Sequence, residues 1–121
     1  MIWLAIAAVT ASAAIQTAPA WEQVHRESLS TSSIDRNSIR RNGNLGYATL
    51  RTEFAAVPGM AAYTMTSDRE FHCNSGQVRM LRSTRVDTGP NGNRREETQP
   101  GELMRVYADT PVASAFNRVC R

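Results

Sequence analysis

The chain of 121 residues carries two cysteines, Cys73 at the end of the strand-like run REFHC (69–73) and Cys120 next to the last residue. Joined, they force the middle of the chain and its C-terminal segment to lie side by side. Closing a loop of 47 residues in this way stabilises a fold by about 4 kcal/mol in the chain-entropy model, against a net stability of about 5–15 kcal/mol for a typical domain. Neither cysteine stands in a C-x-x-C or Cys/His spacing, so no metal site is expected. The alternative to a disulfide is a pair of buried free thiols.

Which of the two applies depends on the compartment. Residues 2–9, IWLAIAAV, are an apolar core followed by small residues ending in APA (18–20), directly before Trp21. This is the A-x-A pattern of a secretory signal peptide cut after Ala20, with a second possible cut after Ala13. No Arg or Lys precedes the apolar core, which is unusual for such a signal. Thr10, Ser12, Gln16 and Thr17 interrupt the segment before it reaches the roughly 18 apolar residues of a transmembrane helix. No Cys lies ahead of Cys73 to accept a lipid anchor. The expectation is a signal peptide over 1–20 and one exported domain over 21–121, periplasmic or secreted, with no membrane span. In that compartment Cys73 and Cys120 are expected to pair.

The C-terminal segment DTPVASAFNRVC (109–120) reads as a helix. Thr110 is placed to cap it, Pro111 suits its first position, and Val112, Ala115 or Phe116, and Val119 recur on one face. About ten residues make a marginal helix in isolation, so this one must dock, and Cys120 pins its last turn. The remainder reads as antiparallel strands. WEQVHR (21–26) suits a short edge strand, and SLSTSSID (28–35) leads into RNSIRRNGN (36–44), where Asn42-Gly43 signals a hairpin. Two long runs, LGYATLRTEF (45–54) and AAYTMTSDREFHC (61–73), meet at Pro58-Gly59. In the second, Tyr63, Met65, Phe71 and Cys73 share one face, expected to be buried under the helix. Thr64, Thr66, Asp68, Glu70 and His72 share the other.

After the Asn74-Ser75-Gly76 turn, QVRMLRSTRVD (77–87) sets Val78, Met80, Thr84 and Val86 against Arg79, Leu81, Ser83 and Arg85. Arg82 interrupts the apolar side. TGPNGNRREETQPGE (88–102) is rich in breakers and without period, as expected of a loop or a loosely held edge. Strands followed by one helix on a single antiparallel sheet make an α+β domain, stapled by one disulfide.

The net charge is +3, and all of the basic residues are arginine. They are interleaved with acids, as in DRE (68–70) and RREE (94–97), so no basic stripe forms and nucleic-acid binding is not expected. No catalytic constellation is legible. His72 stands beside Glu70, more in keeping with a solvated pair than an acid–base device, and His25, flanked by Arg26 and Glu27, is equally anonymous. No serine occupies a G-x-S-x-G elbow, TGPNGN (88–93) lacks the context of a phosphate loop, and haem attachment would need C-x-x-C-H. No enzyme activity and no cofactor are expected. What remains is binding, with Arg94 and Arg95 as candidate contacts to acidic groups of a protein partner and Tyr47 or Tyr107 as exposed aromatics.

Taken in order, Trp21, SSIDRNSIRRNG (32–43), REFHC (69–73), GQVRML (76–81) and NRVCR (117–121) give the chain a resemblance to the surface-adhesin protein E family, small exported proteins of Gram-negative bacteria. The resemblance covers nearly all of 21–121. It implies an antiparallel sheet against a C-terminal helix, cross-linked by the same cysteine pair, and a non-enzymatic role in protein–protein contact. The family's namesakes are lipid-anchored and bind matrix proteins, whereas the anchoring cysteine is missing from this sequence. A different reading of a small exported disulfide domain is a periplasmic enzyme inhibitor or accessory subunit, as of a lysozyme.

Overall fold

The computed structural model describes residues 18–89 and 92–121. Most of the expected signal peptide, residues 1–17, lies outside these, as do residues 90 and 91 of the expected loop. The elements are β1 (Trp21–Arg26), β2 (Ser30–Asp35), β3 (Arg40–Asn42), β4 (Leu45–Phe54), β5 (Tyr63–His72), β6 (Gln77–Asp87), β7 (Arg94–Glu97), β8 (Met104–Arg105) and α1 (Pro111–Cys120). The strands form one antiparallel sheet in the order β1-β2-β4-β5-β6-β7, with β3 beside β4 and β8 beside β6. Both β2 and β3 use the same edge of β4, against its second and first halves respectively. A 3-10 turn over Arg36–Ser38 carries the chain between them. Asp35 caps this turn through Asn37 N–H at 3.0 Å, and the Thr49 N–H donates to Ser38 Oγ at 2.8 Å, which ties the turn to the sheet.

Tight turns join the long strands, so neighbours in sequence are neighbours in the sheet. The β3–β4 hairpin turns on Gly43-Asn44, one residue later than the Asn42-Gly43 reading, because Asn42 already pairs with Leu45. Gly43 takes φ +59° at the first loop position, where a type II′ turn calls for glycine. Between β4 and β5, Val57 and Met60 exchange both backbone hydrogen bonds around Pro58-Gly59. The proline presets the first turn residue and Gly59, at φ +85°, supplies the second.

One face of the sheet carries α1. Ile34, Ala48, Leu50, Phe71 and Val78 from four strands meet Ala115 and Val119 of the helix, and together these are the buried apolar core. Phe116 sets its ring edge-on to Phe71 with centroids 6.2 Å apart. Gly46 lies directly under the last helical turn, where any Cβ would overlap Val119 Cγ1. The serine-rich β2 enters this core without orphaning its hydroxyls, since buried Ser32 Oγ bonds Thr52 Oγ1 at 2.9 Å. Thr110 caps the helix by accepting from Ala113 N–H at 3.1 Å, with Pro111 at its first position. The Cys73–Cys120 disulfide then joins the helix end to the turn after β5, with Cα atoms 5.4 Å apart. Cys73 stands one residue past the strand and is half-buried, on the helix side as expected, its Sγ beside Gly46.

The expected alternation in β6 is correct only in its first half. Arg69 pairs with Met80 while Asp68 pairs with Arg82, so Leu81 is an extra residue, a bulge. Beyond it the faces exchange. Val78 and Met80 look toward the helix side, but so do Ser83, Arg85 and Asp87, while Thr84 and Val86 turn away. The bulge also explains Arg82, which falls among apolar positions only if the strand is counted as regular. The segment after residue 92 is a held edge rather than a loop throughout, because β7 pairs with Ser83–Val86.

Candidate functional site

The second face of the sheet carries no helix among the described residues, and its side chains are fixed by one another. The Arg51 guanidinium stacks over the Trp21 ring at 4.2 Å and reaches Glu53 Oε1 at 3.2 Å. Thr49 Oγ1 donates to Asp68 Oδ1 at 2.7 Å across the β4–β5 pair. His72 Nε2 lies 2.7 Å from Glu70 Oε1, both side chains about one-fifth exposed. Tyr47 stands across from Glu70 on one side and Arg40 on the other. Arg79 lies opposite Glu70 on β6, with its Nε buried and unpartnered among the described residues, as is that of Arg51. Period two along the sheet produces this arrangement: Tyr47, Thr49, Arg51 and Glu53 of β4, Thr64 to His72 at every second position of β5, and Gln77 and Arg79 of β6 are polar or amphipathic and share this face.

The two arginines singled out from the sequence are separated. Arg94 belongs to this face, opposite Val86, whereas Arg95 points to the helix side, opposite Arg85. Arg94 Nη2 donates to Glu96 Oε1 at 2.8 Å. That hydrogen bond and the charge behind it hold the Glu96 carboxyl below the usual carboxylate range, with Arg82 adding to the effect. Of the candidate aromatics, Tyr107 is 65% exposed and Tyr47 half-buried. His72 pairs with Glu70 as expected, though half-buried rather than solvated, and His25 Nε2 meets Glu27 Oε1 at 3.1 Å. His25 Nδ1 also lies 3.4 Å from Ser114 Oγ of α1, a long contact. Among the described residues no three His, Cys, Asp or Glu side chains converge as a metal site would require, and no helix is long and apolar enough to cross a membrane.

The model of the family described as surface-adhesin protein E matches residues 21–121. The chain belongs to the surface-adhesin protein E family. A solved structure of protein E from Haemophilus influenzae superposes with a TM-score of 0.51 at 14% identity, covering 74% of this chain and 76% of that one. At that identity the likeness is one of fold. No curated protein matches the chain in sequence. The expected α+β architecture and the Cys73–Cys120 bond are both present in this member of the family. Neither Arg51 nor Arg79 was legible as part of a surface, although the alternation of polar residues through β4 and β5 was the available signal. Which of them would meet, and which would be left half-covered, depends on the register.

Proposed function

We propose that this surface-adhesin protein E family member is a non-enzymatic, exported binding protein that engages a protein partner through the face of its sheet opposite α1. Residues 1–20 serve as its export signal, and Arg94 extends the contact at the β7 edge. The observation that carries the reading is the mutual fixing of Trp21 with Arg51, Thr49 with Asp68 and Glu70 with His72 on one broad surface. Tryptophan, tyrosine and arginine are the residues that dominate protein interfaces. Side chains already held in place lose little entropy on binding. Family membership supports a role in contact with other proteins, since fold alone would not. Arg95, on the opposite face, contributes less than Arg94.

The test is affinity capture from the envelope fraction and from extracellular-matrix preparations, using the full chain recovered after export. Capture of outer-surface or matrix proteins, weakened by Tyr47→Ala and by Arg94→Ala but not by Arg95→Ala, is the expected result. Recovery of a single periplasmic enzyme in equal amounts would replace this reading with that of an inhibitor or accessory subunit. Binding indifferent to both face substitutions would move the contact elsewhere.

A further inference from the structure

A cleft of about 200 Å³ opens on the helix side, between the N-terminal turn of α1, the start of β6 and β8. Val78, Met104, Val106, Tyr107 and Val112 give it apolar walls, and Arg69 lies among them. Arg69 occupies a core-facing position of β5, flanked by Ala48 on β4 and Met80 on β6. Its Nε donates to the Oγ of buried Ser67 at 3.0 Å. Among the described residues this is its one side-chain hydrogen bond, and no carboxylate pairs with it, unlike Arg51, Arg85, Arg94 and Arg118. The guanidinium is therefore oriented by Ser67, partly stripped of water, and unneutralised. Burial lowers its pKa, yet an arginine remains charged. The other charged residue of the cleft, Arg105, is also a cation, and the α1 N-terminus beside Thr110 adds a partial positive charge. At the mouth, Met104 and Tyr107 are 60% and 65% exposed, the two most exposed large apolar side chains described.

We infer that this cleft is a binding site for a carboxylate borne on a compact apolar body, the acid meeting the Arg69 guanidinium and the body lying against Val78, Val112 and the Met104–Tyr107 rim. A planar guanidinium takes a carboxylate through two parallel hydrogen bonds, and such charge-assisted bonds strengthen where water is excluded. The cleft is smaller than the roughly 300–1,000 Å³ of ordinary small-molecule pockets, which restricts the occupant to a group the size of one amino-acid residue or a short aliphatic acid. The inference concerns the opposite face from the proposed partner surface and stands independently of it.

The test is an NMR titration of the full chain, disulfide intact, with N-acetyl-leucine, hexanoate and N-acetyl-leucinamide at matched ionic strength. Saturable shifts at the methyl groups of Val78, Met104 and Val112 and at Arg69 Nε–H are expected with the acids, and binding of the amide weaker by about tenfold or more. The tighter of the two acids identifies the source, a polypeptide C-terminus for N-acetyl-leucine and a free aliphatic acid for hexanoate. Arg69→Gln is expected to abolish acid binding. Should that variant fail to fold, Met104→Glu at the exposed rim decides, because a carboxylate placed there repels the acids and competes for Arg69. Equal binding of acids and amide, absence of saturable shifts, or a Met104→Glu variant that binds like the parent would overturn the inference.

Discussion

Gly46 shows how one residue sets the distance between layers. It stands on β4 opposite Phe71, and Val119 fills the space a side chain would need. Gly46→Ala is expected to push the last turn of α1 away and cost about 1–3 kcal/mol, the range for overpacking a formed core, read by chemical denaturation. Glu96 makes a different residue-scale case. Its pKa is depressed by the Arg94 hydrogen bond, so the favourable interaction is present above the carboxyl's unfolded pKa and is lost as pH falls through the folded one. Arg94→Ala is expected to move the Glu96 midpoint up toward the ordinary carboxylate value, measurable by an NMR pH titration of the side-chain carboxyl. A midpoint that did not rise would mean that Arg94 is not its principal partner.

Among the elements, α1 depends most on its connections. Ten residues with a Thr110 cap and a Pro111 start are a well-marked helix, but one that short is marginal alone. Its apolar face docks on β4 and β5, Arg118 Nε reaches Glu22 Oε2 of β1 at 2.9 Å, and Cys120 closes the far end. Replacing both cysteines, Cys73→Ser with Cys120→Ser, is expected to destabilise the oxidised protein by up to about 4 kcal/mol by restoring loop freedom to the unfolded chain. Thermal denaturation followed by circular dichroism checks it, and an unchanged midpoint would show that the docked helix does not need the bond. The helix was legible because its signals are local. The β6 bulge was not, because nothing in QVRMLRSTRVD marks which residue the neighbouring strand skips.

For the whole molecule, the single core under α1 is small, and Phe71 is its largest fully buried side chain. It sits between Gly46 and Val78 in the sheet and against Phe116 above. Phe71→Ala is expected to cost about 3–5 kcal/mol, as lost burial plus cavity. Denaturant titration would reveal it as a loss comparable to that of the disulfide. A loss below 1 kcal/mol would place the stabilising contacts elsewhere. Among the described residues, the same sheet that buries Phe71 carries no helix on its other face, so one period-two pattern supplies both the core and the candidate partner surface.

From residues alone came the α+β class, the cysteine pairing, the helix with its cap, the long strands and the family resemblance. Each of these is set by short-range chemistry or by composition: turn formers, spacing along one face, and two thiols with no other partner. The tertiary structure decided the rest. It divided Arg94 from Arg95, set Arg51 over Trp21, exchanged the faces of β6 beyond Leu81, and placed Arg69 against Ser67 with no acid beside it among the described residues. Those outcomes depend on register between strands far apart in the chain, where a shift of one residue turns every side chain to the other face.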